Sequence, residues 1–137
     1  MDHKELISKA IEARKTAYAP YSEFTVGAAL LCSDGTVYTG CNIENASYGA
    51  TICAERTAFF KAVSEGAGDF EAIAIVGAPQ GKEPDFCPPC GMCRQVMTEF
   101  CNPESFRIIL SNGKEDRIYT LKEMMPYSFD NLQSSSV

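Results

Sequence analysis

Ala72-Ile73-Ala74-Ile75-Val76-Gly77 is an unbroken apolar run, with Gly66 and Gly68 before it and Pro79 after it. An apolar run without alternation fits a strand covered on both faces, as at the centre of a sheet with helices above and below. Residues 106–110 form a second buried strand by the same reading. Between them, residues 78–89 hold Pro79, Pro84, Pro88 and Pro89 and form a loop, and residues 90–100 follow as a helix. A strand, a helix and a strand in that order predict parallel neighbours joined by a right-handed crossover.

Upstream, residues 24–32 read as an apolar strand, Ser33-Asp34-Gly35-Thr36 as a hairpin turn and residues 37–43 as the returning strand. The segment 42–51 is polar and contains Gly49, so it reads as a loop. Residues 52–65 follow as a helix with Ala54, Ala58, Phe59, Ala62 and Val63 on its buried stripe. At the start of the chain, Asp2 and Glu5 have capping-box spacing. Leu6, Ile7, Ala10, Ile11 and the stretch 13–17 continue a helix to Ala19-Pro20. Downstream come an Asn112-Gly113 turn, a short edge strand at 117–119, and a capped helix opened by Thr120 and Glu123 and ended before Pro126. The order predicts an α/β domain with one mixed sheet and helices on its faces. Residues 1–137 form a single domain in this reading, with 130–137 a flexible tail.

Hydrophobic residues make up 45% of the 137, enough for a core, and no apolar run reaches the length of a membrane span. Acidic residues outnumber basic ones 18 to 12, for a net charge of −6. That balance argues against a nucleic-acid partner, which calls for a basic face, and favours a small-molecule substrate. No presequence stands at the start, so the expected location is cytoplasmic. Seven cysteines without a secretory signal point to reduced thiols and metal binding rather than a disulfide framework. The single histidine, His3, lies at the start of a surface helix. Ser-His-Asp, Cys-His and H-E-x-x-H chemistries are therefore set aside.

The chemistry is concentrated in Cys53-Ala54-Glu55 and Pro89-Cys90-Gly91-Met92-Cys93. Three thiols can hold one zinc and leave its fourth position for water, and a carboxylate beside that water can take its proton. Cys53 and Cys90 each open a helix in this reading, where unpaired N–H groups favour the thiolate. Three thiolates over-neutralise a zinc ion. Arg56, with Arg94 as a weaker second, is the candidate to offset that charge by hydrogen bonds to sulfur. Cys87-Pro88-Pro89-Cys90 has the same C-x-x-C spacing. Cys53, Cys87, Cys90 and Cys93 together would make a closed four-thiolate site with no room for water. The open site is favoured, because the closed one leaves Glu55 without a function and the two prolines stiffen the chain between Cys87 and Cys90. Cys32, Cys41 and Cys101 read as small buried or half-buried residues.

The signature Cys-x-Glu followed by Pro-Cys-x-x-Cys is that of zinc deaminases. The chain resembles the small cytidine deaminases that use three cysteines, from about Ala17 to Phe129. The resemblance is carried by Tyr18-Ala19-Pro20-Tyr21-Ser22, by Phe24-Thr25-Val26-Gly27-Ala28-Ala29-Leu30 and by Gly40-Cys41-Asn42-Ile43-Glu44-Asn45. Cys53-Ala54-Glu55-Arg56-Thr57-Ala58 and Pro89-Cys90-Gly91-Met92-Cys93-Arg94-Gln95 complete it. It implies a three-layer α/β/α sandwich around a mixed five-stranded sheet. It implies one zinc per subunit on Cys53, Cys90 and Cys93, and Glu55 as proton shuttle. Asn42 and Glu44 would hold the ribose hydroxyls, Phe24 would wall the pocket and Ala54 would touch the substrate. Ala46, Tyr48 and Phe129 would reach the substrate of a neighbouring subunit in a homotetramer with shared sites.

The residues themselves support part of this. Asn42 and Glu44 alternate about Ile43 and so share one side of an extended segment. An amide and a carboxylate suit vicinal hydroxyls. The expected reaction is hydrolytic deamination of cytidine and 2'-deoxycytidine. Its rivals are a zinc deaminase of another aminopyrimidine (an antibiotic nucleoside or a free base) and a non-catalytic zinc-stabilised binding module. A nucleic-acid editing enzyme is disfavoured by the acidic balance.

Overall fold

The computed structural model describes residues 1–130. Along the chain run α1 (His3–Arg14), β1 (Phe24–Cys32), β2 (Val37–Cys41), a single 3-10 turn (Tyr48–Ala50) and α2 (Ala54–Ser64). Then follow β3 (Phe70–Pro79), α3 (Gly91–Phe100), β4 (Arg107–Ser111), β5 (Asp116–Thr120) and α4 (Leu121–Met124). The five strands form one sheet in the order β2-β1-β3-β4-β5. β3 and β4 are parallel, while the β1–β2, β1–β3 and β4–β5 pairs are antiparallel. The apolar run at 72–77 is the middle of the middle strand, as its composition demands. The tail expected to be flexible lies outside the described residues apart from Asp130.

Alternation along the inner strands sends side chains to two separate cores. Ala29, Leu31, Ala72, Ala74, Val76 and Ile109 face Leu6, Ile7 and Ala10 of α1. Ala28, Leu30, Ile73, Ile75, Ile108 and Leu110 face Ala58, Phe59 and Ala62 of α2 and Met97 of α3. This is a three-layer α/β/α arrangement. Each large side chain taken fully out of water contributes about 1.5–3 kcal/mol. Phe59, Phe106, Ile73, Ile75 and Ile109, all fully buried, anchor the two interfaces.

Two glycines set how closely the helices approach. A Cβ at Gly27 would lie 2.0 Å from the Ala10 carbonyl oxygen, and one at Gly40 would lie 2.4 Å from that of Ala54. No side chain fits at either point, so α1 and α2 rest directly on the strand backbone. The second contact fixes the N-terminal turn of α2, which follows Cys53.

Some boundaries differ from the sequence reading. The first helix ends at Arg14 rather than near Ala19. Backbone pairing overrides the propensity of the alanine-rich stretch: Tyr18 N–H donates to Asn42 O at 3.0 Å and Glu44 N–H to Tyr18 O at 2.8 Å. β2 stops at Cys41, because Ile43 bridges Tyr18 and Ile52 instead. At Asp2, the side chain accepts from Glu5 N–H at 2.9 Å. By contrast, Thr120 and Glu123 form the complete reciprocal box.

Candidate active site

Cys53 and Cys90 are the N-cap residues of α2 and α3, and neither side chain caps its helix. Each sulfur instead points to the space between the two helix starts. Cys53 Sγ lies 3.6 Å from Cys90 Sγ, and Cys90 Sγ lies 3.5 Å from Cys93 Sγ. All three sulfurs fall within 4.8 Å of one another. A tetrahedral ion with metal–sulfur bonds of about 2.3 Å spaces its sulfurs about 3.8 Å apart, so the cluster fits such an ion with little movement. Cys93 is buried, Cys53 half-buried and Cys90 exposed, so the cluster has an open side.

The local electrostatics favour a thiolate. A hydrogen bond with Cys93 and the nearby Arg56 guanidinium lower the Cys53 thiol to about 5. Arg56 Nη2 donates to Cys53 Sγ at 3.4 Å. Its Nε is buried without a partner among the described residues, a polar atom left over beside the sulfurs. The bond with Cys53 raises the Cys93 thiol in turn.

Glu55 occupies the first turn of α2 and is only 4% exposed. It lies in register with Ala58, Phe59 and Ala62 on the buried stripe of that helix. A carboxylate on a buried stripe is costly unless it has a function. Burial pushes its carboxyl up to about 7, and the Cys53 thiolate adds to the rise.

Cys87 takes no part in the cluster. Its Sγ and Cβ pack over Gly77, where a glycine Cβ would lie 2.9 Å and 3.0 Å from them. Burial pushes this thiol up to about 12, which keeps it protonated. The geometry therefore departs from the four-thiolate alternative. Arg94 also differs from expectation. Its Nε donates to the Pro89 carbonyl at 2.8 Å and its Nη1 to that of Met124 at 2.9 Å. It braces the residue before Cys90 against the end of α4.

Asn42 and Glu44 lie in the loop that follows β2. Asn42 Oδ1 accepts from Val26 N–H and Asn42 Nδ2 donates to Phe24 O, both at 2.9 Å, so the amide continues the sheet alongside β1. Glu44 accepts from the backbone N–H groups of Tyr21 and Ser22 at 3.0 and 3.1 Å, and also from the Ser22 hydroxyl. The Ser22 contacts hold its carboxyl below the ordinary range. A cleft of about 280 Å³ opens there, lined by Tyr21, Ser22, Glu44, Tyr48 and Thr51. The Phe24 ring lies over Gly77, beside Cys87. Ala46 is exposed, and Tyr48 and Phe129 are 77% and 67% exposed. Gln95 Nε2 donates to the Phe129 carbonyl at 2.7 Å and ties the end of the described chain to α3.

Residues 1–108 match the model of the cytidine and deoxycytidylate deaminase zinc-binding region. The chain belongs to that deaminase family. A cytidine deaminase of Sporosarcina psychrophila is 52% identical over 130 residues, covering 94% of this chain and 92% of the relative. One of Halalkalibacterium halodurans is 55% identical over 130 residues, with 94% and 95% covered. The crystal structure of cytidine deaminase from Burkholderia pseudomallei superposes with a TM-score of 0.85 at 48% identity, covering 94% of this chain and all of that one. Zinc is the metal of this deaminase family, and three clustered thiols are a donor set suited to it. Among the described residues, no helix is long and apolar enough to cross a membrane.

Two residues beside the candidate site escaped the sequence reading. Ser22, which holds Glu44, had no signal beyond its place in the Tyr-Ser stretch. Arg14, which donates to the Thr25, Ala78, Pro79 and Lys82 carbonyls, gives no signal in a sequence reading that runs the first helix on to Ala19-Pro20.

Proposed function

We propose that the chain catalyses zinc-dependent hydrolytic deamination of cytidine and 2'-deoxycytidine to uridine and 2'-deoxyuridine, with release of ammonia. The observation that carries this reading is the buried Glu55 carboxyl two residues after Cys53, one member of a three-thiol cluster that leaves Cys87 out. Bound through Cys53, Cys90 and Cys93, zinc supplies the Lewis acidity that makes a water nucleophilic near neutral pH.

Glu55 takes one proton from that water and delivers it to N3 of the base as the oxygen adds to C4. It then takes the remaining hydroxyl proton and passes it to the amino nitrogen. The C4–N bond breaks and ammonia leaves, while C4 becomes a carbonyl. A carboxyl near 7 is suited to accept and return a proton at neutral pH. Arg56 offsets the excess negative charge of three thiolates by donating to Cys53.

Asn42 and Glu44 bind the ribose hydroxyls, with Phe24 and Ala54 beside the substrate. Each Asn42 amide atom spends one hydrogen bond on β1 and keeps capacity for another. Ala46, Tyr48 and Phe129 complete the pocket of a neighbouring subunit in a homotetramer. The large exposed rings of Tyr48 and Phe129 support that role. The acidic balance supports a free nucleoside over a nucleic acid as substrate. The free thiols suit a reducing cytoplasm.

Ultraviolet measurement of cytidine conversion, with metal analysis of the same sample, tests the reading. Glu55→Gln is expected to keep one zinc per chain and lose on the order of 10³-fold or more in turnover. Near wild-type turnover in that variant would refute the shuttle.

A further inference from the structure

Arg14 closes α1 and makes more long-range hydrogen bonds than its place on a surface helix requires. Its Nε donates to the Thr25 carbonyl at 3.1 Å and to Thr25 Oγ1 at 2.8 Å. Its Nη1 donates to the Lys82 carbonyl at 2.8 Å. Its Nη2 donates to the Ala78 and Pro79 carbonyls at 3.2 and 2.8 Å. These acceptors lie on two segments far apart in sequence: the start of β1, and the turn where β3 gives way to the proline-rich loop. A planar fork of fixed donors can hold both at once, and a lysine ammonium cannot reproduce it.

Both segments lead to the sugar-side wall. The 78–82 turn sends Gln80 N–H to the Glu23 carbonyl at 2.7 Å. Glu23 has φ 57, in the left-handed region that a non-glycine residue enters only under constraint. On one side of Glu23, the Ser22 hydroxyl donates to Glu44. On the other is Phe24, whose N–H donates back to Ser22 Oγ at 3.1 Å. Asn42 grips Phe24 and Val26 from the far edge of β1 while Arg14 grips Thr25 between them. The three residues 24–26 are thus held from both sides.

We propose that Arg14 is a positioning residue for nucleoside recognition. Its guanidinium locks the 78–82 turn to the start of β1, and through Glu23 it fixes Phe24 and the Ser22–Glu44 pair where the sugar meets them. The role rests on the nucleoside reading above. It predicts a defect in binding rather than in chemistry, because the network touches neither the thiol cluster nor Glu55.

The test is steady-state kinetics on cytidine for wild type, Arg14→Met and Arg14→Lys, with zinc content and thermal stability measured alongside. Arg14→Met is expected to raise KM about tenfold or more, leave kcat within about threefold and keep stoichiometric zinc. Arg14→Lys is expected to fall between it and wild type. Should Arg14→Met fail to fold, Glu23→Gly supplies the second reading. Glycine accepts φ 57 without strain, so it is expected to fold normally yet raise KM several-fold by loosening the wall. A lower melting temperature with unchanged KM in folded Arg14 variants would overturn the proposal, as would an unchanged KM in Glu23→Gly. A wild-type protein without activity on cytidine would instead sink the nucleoside reading and take this role with it.

Discussion

The two halves of the proposed site are built by opposite means. On the metal side, residues within one helical turn of each other carry everything: Cys53 with Glu55, and Cys90 with Cys93. On the side proposed to face the sugar, each side chain is set by partners distant in sequence: Asn42 by β1, Glu44 by the Tyr21–Ser22 turn, and the start of β1 by Arg14. The first kind of site is written in spacing. The second is written in the fold, and the residues proposed to meet the substrate also hold the structure together.

Four changes test that contrast. The largest effect belongs to the metal side. Cys93→Ala is expected to leave little zinc by metal analysis and to cut cytidine turnover on the order of 10⁴-fold or more. Full zinc occupancy in that variant would show that the cluster does not act as a unit.

Glu55 gives the next effect, read as stability of zinc-stripped protein. Its folded value near 7 stands above the ordinary 4.5, so the folded chain holds its proton more tightly than the unfolded chain. Stability is therefore full below pH about 4.5 and falls as pH rises towards 7, by about 3 kcal/mol in all. Glu55→Gln should abolish that fall and leave the stripped protein more stable than wild type at pH 8 by denaturant titration. A parallel pH profile in the two proteins would disprove the burial cost.

Asn42→Ala comes third and should blur the two functions of the sugar side. Losing two hydrogen bonds to β1 is expected to cost about 2 kcal/mol in denaturant unfolding, alongside a KM for cytidine raised about tenfold. A KM effect without a stability loss would separate substrate binding from sheet pairing. The smallest effect is expected from Cys87→Ser, where a hydroxyl replaces a half-buried thiol against Gly77. Stability should drop by about 1 kcal/mol, with zinc content and turnover within about threefold of wild type. Loss of zinc there would reinstate the four-thiolate site.

The same contrast explains how far the sequence could be read. The apolar run at 72–77 and the buried stripe of α2 made the layer order visible, because periodicity is a local property. The three-thiol set was visible but not unique. Cys87-x-x-Cys90 and Cys90-x-x-Cys93 have one spacing, and in the structure the packing of Cys87 on Gly77 separates them. The end of α1 was misread because its alanines favour a helix, while the pairing of Tyr18 with the 42–44 segment is long-range. Arg94 read as a partner for sulfur because it follows Cys93. Its actual acceptors, at Pro89 and Met124, become neighbours only after α3 and α4 pack.

The glycine at position 40 bears on how this protein can vary. Contact between bare strand backbone and the first turn of α2 acts as a mechanical stop. The helix is located by main chain against main chain, whatever fills the layers beneath it. Exchanges among Ile, Val and Leu in either core can then accumulate with modest losses in stability and little displacement of Cys53. A single methyl group at position 40 would push the helix start outward and part its sulfur from those of α3. The interior can thus tolerate exchange in bulk, while the start of α2 is placed by a residue that carries no side chain at all.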